Sequence, residues 1–255
     1  MIESLSDRIH AALLSPRLRQ AAIVAAALAM LATLFGAFIY APADAIEGDV
    51  QRIFYIHVPM AWVAYLAFGI VAASSLMFLW RKQSRWDVLA RSSAEVGLIF
   101  TTLVLLTGAI WGRPIWGTWW AWDARLTTTL ILWVLYAGYL TIRSFVGEEE
   151  SGARFAAVVG VLGFVDVPIV HMSVTWWRTL HPQPIVVRPL ESPSLPNEML
   201  AVMLVGVVAM TLVFVTLLAL RYAVGIADER LRLRRRRAYA RALLATTRTL
   251  EAANG

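Results

Sequence analysis

The sequence predicts an all-α polytopic membrane protein with six transmembrane helices. Of its 255 residues, 59% are hydrophobic and 16% are charged, whereas soluble globular domains have roughly 45–50% and about 25%. The mean hydropathy is +0.65, and the apolar residues fall in runs of about 20, the length that a helix needs to cross a hydrocarbon core of about 30 Å. An ordinary cytosolic enzyme is therefore excluded.

Six apolar runs are long enough to span a membrane, and their connections leave little chain for a soluble domain. The first run follows Arg8, Arg17 and Arg19 and is too long for a signal-peptide core, so we expect a retained helix. The predicted spans lie near residues 21–40, 53–80, 95–112, 127–146, 154–175 and 199–220. They make a membrane domain over residues 1–222, which an arginine-rich tail over residues 223–255 follows.

The distribution of basic residues predicts that both termini lie in the cytoplasm, because cytoplasmic segments of membrane proteins are enriched in Lys and Arg. With the N-terminus inside, the inner segments hold 18 of the 23 basic residues and the outer segments hold five. Six of the inner ones are arginines within residues 230–237. Such a run after a last span is typical of a segment facing anionic lipid headgroups rather than of a nucleic-acid site.

Two residue types that are absent or rare exclude several kinds of chemistry. The chain has no cysteine, so disulfides, thiolate nucleophiles, cysteine-bound metals and a CxxCH haem-attachment site are ruled out. Its one lysine, Lys82, follows Trp80 and Arg81 rather than a glycine loop, so there is no P-loop. Any ATP hydrolysis in the pathway must come from another subunit.

Tryptophan is concentrated in one predicted outer loop, over residues 112–127. Five of the 11 tryptophans in the chain fall within residues 111–122: Trp116, Trp119, Trp120 and Trp122 lie in this loop, and Trp111 directly precedes it. An interfacial aromatic belt accounts for one or two tryptophans at a helix end, but not for five on one connection. Large rigid aromatic faces at a membrane surface suit a flat, apolar, conjugated ligand, and a porphyrin has that shape.

A porphyrin iron also needs axial ligands, for which imidazole is the usual side chain. Of the four histidines, His10 lies in the predicted cytoplasmic tail and is assigned no role. His57 near the outer end of span two and His181 on the loop after span five both reach the outer face. His171 approaches that face too, although a histidine within a helix is more often satisfied by a neighbouring carbonyl or hydroxyl. The residues alone leave His181 and His171 open as the partner of His57.

Asp123 and Arg125 follow the tryptophans. Asp123 is well placed to cap the fourth span, where a carboxylate accepts backbone N–H bonds and complements the helix dipole. Arg125 is one of four outer arginines that can pair with a haem propionate through a charge-assisted fork. The other three are Arg113, Arg178 and Arg188. The sequence does not distinguish among the four.

The run from Trp116 to Thr127, WGTWWAWDARLT, resembles the tryptophan-rich WWD signature of haem-handling membrane proteins in bacterial cytochrome c maturation. Several tryptophans, a glycine, an aspartate and an arginine in fixed order make this resemblance specific. Within the superfamily the chain is similar to the haem exporter protein C (CcmC) family over nearly its whole length. The matching stretches are residues 41–44, residues 52–59, the signature and residues 176–181.

The resemblance implies a function and a site. Members are six-helix inner-membrane proteins that hold haem at the periplasmic face and deliver it to the haem chaperone CcmE, beside the ATP-binding cassette subunits CcmA and CcmB and the small membrane protein CcmD. It implies His57 and His181, rather than His171, as axial ligands to a transient, non-covalent b-type haem. No catalytic residue is expected. The implied haem-binding residues on the loop are Trp116, Trp119, Trp120, Trp122, Asp123 and Arg125.

Three other functions compete with haem delivery. A WWD-type cytochrome c synthase, or haem lyase, shares the signature but is usually larger, with more spans or a large outer domain. A haem permease needs polar groups or broken helices at mid-membrane depth; here only Asp166, with Pro168 nearby, meets that need, since Glu95 is expected at the interface where span three starts. The third is a structural membrane subunit that its tryptophans anchor.

Overall fold

The apolar runs fold into long helices. In the computed structural model, which describes residues 2–145, 150–182 and 195–254, six segments are long and apolar enough to cross a membrane. This confirms the predicted fold class. The helices are α1 (Ile2–Leu14), α2 (Pro16–Phe35, continued by a π-helical turn, Gly36–Tyr40), a 3₁₀ turn (Asp49–Ile53), α3 (Phe54–Arg81), α4 (Ser84–Trp116), α5 (Ala124–Phe145), α6 (Glu150–Phe164), α7 (Asp166–Trp176) and α8 (Asn197–Asn254).

Two helices extend well past their predicted spans. Span three is predicted over residues 95–112, yet α4 has 33 residues, and α8 continues from span six into the arginine-rich tail. Hydropathy finds only the apolar part of a helix, whereas Arg, Ala and Leu are good helix formers and carry it further. The tryptophan loop is correspondingly shorter than the predicted 112–127, since residues 117–123 alone separate α4 from α5.

Span five is broken inside the bundle. Helix α6 ends at Phe164 and α7 begins at Asp166, while the Val165 N–H donates to the Leu162 carbonyl at 3.1 Å in a tight turn. Pro168 lies in the first turn of α7, where its missing N–H has no helical partner to lose. Asp166 and Pro168 are the residues at which the sequence indicates a polar interruption of span five, and the helix break lies beside them.

Helix α3 lies at the centre of the bundle and packs along α4, α6 and α8, while α2 packs against α8. Small residues let α3 and α4 approach closely, as is common between membrane helices. A Cβ added at Gly97 would lie 2.8 Å from the Cβ of Ala67, and Ser93 Oγ donates to the Ala67 carbonyl at 2.8 Å. This contact fixes the helix pair on which the site is built.

Charged residues at the end of the bundle where α4 begins are paired between helices. Arg143 of α5 donates to Asp87 of α4 at 2.5 Å, and both side chains are nearly buried. Glu95 accepts from Arg221 of α8 and from Arg91 at 3.1 Å. Glu95 therefore lies about three turns inside α4, because α4 begins at Ser84, before the apolar run of span three. Its interfacial position stays a prediction.

His10, to which the sequence assigns no role, joins the N-terminal helix to the bundle. Its side chain is buried, and its Nδ1 lies 2.5 Å from the Tyr222 hydroxyl of α8. Burial, with the nearby Arg85 guanidinium, lowers the pKa of His10 below its ordinary value. This contact lies at the opposite end of the bundle from the tryptophan loop.

Candidate functional site

A cavity of about 470 Å³ lies at the end of the bundle that carries the tryptophan loop, and we call this end the loop end. The volume falls in the range of about 300–1,000 Å³ that is typical of small-molecule sites. Most of the lining side chains are apolar. The lining comes from α3, α4, α5 and α7 and from the loops that hold Glu47, His181 and Pro182. Three of the four histidines also line it: His57, His171 and His181.

His57 is the fourth residue of α3 and is held by one face of α4. Its Nδ1 lies 2.8 Å from Thr107 Oγ1. The ring also meets the edge of Trp111, with 5.6 Å between the ring centroids. The Trp111 indole is held in turn, because its Nε1 donates to Glu47 Oε2 at 2.9 Å. The loop before α3 thus helps to position a tryptophan that packs on His57.

His181 follows α7 and is held by the loop between α4 and α5. Its Nδ1 lies 3.1 Å from Asp123 Oδ2. Its ring meets the edge of Trp116, with 4.9 Å between centroids. The two histidines therefore have the same kind of support: each pairs Nδ1 with an oxygen and packs against a tryptophan from the last two turns of α4. In both cases Nε2 is the ring nitrogen outside that hydrogen bond.

Asp123 joins two elements through its two carboxylate oxygens. Oδ1 accepts the Leu126 N–H at 2.8 Å and so caps α5, as predicted. Oδ2 accepts from the Thr179 hydroxyl at 2.6 Å and the Leu180 N–H at 3.2 Å, in addition to His181. Burial opposes ionisation of this carboxyl, but the hydrogen bonds that it accepts hold the pKa of Asp123 well below its ordinary range.

Of the candidate arginines that lie in the described part of the chain, Arg125 lines the cavity. Its guanidinium donates to the His171 carbonyl at 3.0 Å, and its buried Nε has no hydrogen-bond partner among the described residues. Arg113 donates to the Gly117 carbonyl, and Arg178 is exposed. Arg188 lies outside the described residues. A half-buried guanidinium with an unused, buried Nε donor is a group that an anionic ligand can complete.

The tryptophans divide into a wall and a surface. Trp116, the last residue of α4, lines the cavity together with Trp111. Trp119 and Trp122 are 60% and 76% exposed and do not line it, and Trp120 packs edge-on against Trp122. The division arises at Gly117, whose φ of +74° ends α4 in the left-handed conformation that glycine adopts without strain.

Several supporting residues give no signal in the sequence. Thr107 is one hydroxyl residue among many in the spans, Thr179 is an ordinary loop residue, and Glu47 lies in a loop far from the signature. Each acts through a contact between residues at least 50 positions apart. Only the packing of the helices brings them to the histidines and tryptophans.

Residues 1–237 match the family described as Heme exporter protein C. The chain belongs to the haem exporter protein C family. The family resemblance drawn from the tryptophan signature is therefore confirmed. Membership in this family indicates a role in haem handling during cytochrome c maturation.

Curated relatives from bacteria and from a plant are similar over most of the chain. This chain is 44% identical over 177 residues to Heme exporter protein C of Bradyrhizobium diazoefficiens, and the match covers 69% of this chain and 67% of the relative. The Heme exporter protein C of Haemophilus influenzae is 39% identical over 192 residues, or 74% and 77% of the two chains. A putative cytochrome c biosynthesis ccmC-like mitochondrial protein of Marchantia polymorpha is 41% identical over 141 residues, 55% of this chain and 59% of its own.

Proposed function

We propose that this protein binds a b-type haem, non-covalently and transiently, at the periplasmic face of the bacterial inner membrane and delivers it to the haem chaperone CcmE. The observation that carries the proposal is the pair His57 and His181, which line one cavity with Nδ1 engaged and Nε2 outside that bond. Bis-imidazole ligation needs two such nitrogens. Haem is cargo here, and the protein is a carrier rather than an enzyme.

The remaining walls of the cavity suit the rest of a haem. Its apolar lining matches the macrocycle, and Trp116 supplies a rigid aromatic surface. Arg125 supplies a half-buried cation with an unused Nε donor for a propionate. These three features come from α3, α4 and α5 together, so they support haem as the cargo independently of the histidines.

Delivery to CcmE is supported by the exposed half of the tryptophan loop. Trp119 and Trp122 form an apolar surface at the loop end, and exposed aromatic groups of this kind are favoured anchors in protein interfaces. His181, on the loop after α7, has a side chain that is 19% exposed. An acceptor docked on the two tryptophans would therefore lie beside one of the two proposed ligands.

Transfer between purified proteins tests this delivery. Haem-loaded full-length protein in lipid nanodiscs, mixed with the soluble domain of CcmE, should pass its haem to that domain. The double variant Trp119→Ala, Trp122→Ala should bind haem normally but transfer it at least tenfold more slowly. Trp80→Ala is the matched control, because Trp80 is also exposed, at 67%, but lies at the other end of α3. Equal transfer by all three proteins would contradict docking on the loop.

An apocytochrome c added in place of CcmE distinguishes a carrier from a cytochrome c synthase. A carrier leaves the apocytochrome without covalent haem, whereas thioether formation by this chain alone would make it a synthase. ATP-dependent steps are assigned to the subunits CcmA and CcmB, with CcmD as a further membrane partner, because this chain has no P-loop.

The periplasmic placement of the site predicts a labelling pattern. The chain has no native cysteine, so single cysteines report without background. Ile46→Cys, at a position 94% exposed in the loop before α3, should react with a membrane-impermeant maleimide in spheroplasts. Tyr239→Cys, at a position 73% exposed in the tail, should react only after the inner membrane is opened. The reverse pattern would place the site in the cytoplasm.

A further inference from the structure

We propose that Thr107 is a positioning residue for His57. Its hydroxyl fixes the proton on His57 Nδ1 and so leaves His57 Nε2 as the nitrogen that binds iron. The proposal rests on the proposed function only for the identity of the metal, since the tautomer is a property of the protein without haem. Nothing in the sequence or in the family signature indicates this residue. It is assigned by the hydrogen bonds around its hydroxyl.

The position of the Thr107 proton follows from a count of donors and acceptors. A threonine hydroxyl has one proton and two acceptor lone pairs. Its Oγ1 lies 2.7 Å from the Leu103 carbonyl oxygen and 3.3 Å from that of Val104. Two oxygens at 2.7 Å need a proton between them, and the carbonyl has none to give. The Thr107 proton is therefore directed to the preceding turn of α4.

The direction of the His57 hydrogen bond is then determined. With its own proton used, Thr107 Oγ1 can only accept from His57 Nδ1, 2.8 Å away. His57 Nδ1 therefore carries the hydrogen, and in a neutral imidazole Nε2 is then the unprotonated nitrogen. Metal-binding histidines usually donate their other ring N–H to an oxygen in this way, which fixes both tautomer and ring orientation.

The neighbours of Thr107 on α4 restrict the ring itself. A Cβ added at Gly108 would lie 3.2 Å from His57 Cε1, so this glycine leaves space that the imidazole occupies. Trp111, one turn further along α4, meets the ring edge-on. Thr107, Gly108 and Trp111 thus form one supporting surface, which orients His57 through a hydrogen bond, a close approach and an aromatic contact.

The partners of the two histidines differ in charge. His181 donates to the Asp123 carboxylate, whereas His57 donates to a neutral hydroxyl. A charged acceptor makes an imidazole a stronger electron donor to a metal than a neutral acceptor does. The two proposed axial ligands are therefore unequal, with His57 the weaker donor. Replacement of Thr107 by valine should weaken this ligand further.

Nitrogen NMR of the haem-free protein tests the tautomer. Full-length protein labelled with ¹⁵N-histidine in detergent has four imidazoles, and the His57 signals are assigned as those that His57→Gln removes. We expect the Nδ1–H tautomer in the wild type and in Thr107→Ser. Thr107→Val, which has nearly the same shape but no acceptor, should show Nε2–H or a mixture of tautomers.

Thr141→Val is the matched control. Thr141 makes the same bond to the preceding turn, from Oγ1 to the Ala137 carbonyl at 2.8 Å, but lies at the other end of α5 from the site. It should leave the His57 signals unchanged. An Nε2–H tautomer in the wild type would overturn the proposal without any variant, and so would an unchanged tautomer in a folded Thr107→Val protein.

A haem titration of the same variants distinguishes this proposal from the proposed function. Thr107→Val should lower haem affinity by about 10–100-fold, the usual cost of losing an outer-shell partner of a metal ligand, and should shift the haem reduction potential. Thr107→Ser should restore both. If the tautomer changes but the haem spectrum, affinity and potential do not, the role of Thr107 stands and ligation of haem by His57 is wrong.

Discussion

Replacing Asp123 by alanine is expected to lower haem affinity by about 10–100-fold, because the carboxylate is the outer-shell partner of a proposed ligand. One side chain, 7% exposed, binds His181 Nδ1, the Thr179 hydroxyl and the Leu180 N–H through Oδ2. Its loss would release the segment that carries His181. It would also remove the cap of α5, which typically contributes about 1 kcal/mol. A haem titration followed by absorbance measures the affinity.

Two further substitutions identify the source of this effect. Asp123→Asn keeps a neutral oxygen for the α5 cap but removes the charge, so its affinity should lie between those of the wild type and Asp123→Ala. Asp49→Ala is the control, because Asp49 is an exposed acidic residue at the loop end that pairs with Arg52 and does not line the cavity. Haem affinity of Asp123→Ala within twofold of wild type would contradict the role assigned to Asp123.

The pH dependence of the stability that Asp123 contributes follows from the direction of its pKa shift. The folded-state pKa of Asp123 is depressed, so the carboxylate contributes stability above the ordinary aspartate pKa of about 3.9 and loses it only as the pH falls well below that value. The contribution of ionised Asp123 to folding stability should therefore be constant between about pH 5 and 8.

The number and order of the membrane helices could be predicted because hydropathy reports them directly. Helix ends could not, since they depend on other causes. Helix α4 runs on to Trp116 and stops where Gly117 takes a positive φ, while α8 continues through arginines that favour a helix but not a bilayer. Hydropathy contains neither kind of information.

The site was predictable in part. The tryptophan signature predicted haem-binding residues on one loop, Asp123 and Arg125 among them, because it is a local pattern with an unusual composition. The loop does not act as one aromatic surface, however: Trp116 lines the cavity, whereas Trp119 and Trp122 are exposed. This division depends on where α4 ends, which the composition of the loop does not determine.

The partners of the histidines could not be predicted from the sequence. Thr107 lies 50 residues from His57, and Asp123 lies 58 residues from His181. Neither pair shares a helix, so periodicity does not relate its members. Asp123 has a predictable capping role. Its second oxygen, Oδ2, binds the segment after α7 only because α5 and α7 pack together.

His57→Ala and His181→Ala are expected to have the largest effects of all substitutions. Each removes one of two proposed axial ligands, and no supporting contact can replace an imidazole nitrogen. Six-coordinate, low-spin haem should become five-coordinate and high-spin in each variant. His171→Ala is the matched control, because His171 lines the same cavity but binds Arg125 only through its backbone carbonyl, which alanine retains.

The visible absorption spectrum of the haem-loaded, detergent-purified protein tests the central claim most directly. We predict a bis-imidazole spectrum for the wild type and His171→Ala, and its loss in both His57→Ala and His181→Ala. An unchanged bis-imidazole spectrum in either of these two variants would contradict the assignment of the ligands. So would its loss in His171→Ala together with its retention in His181→Ala.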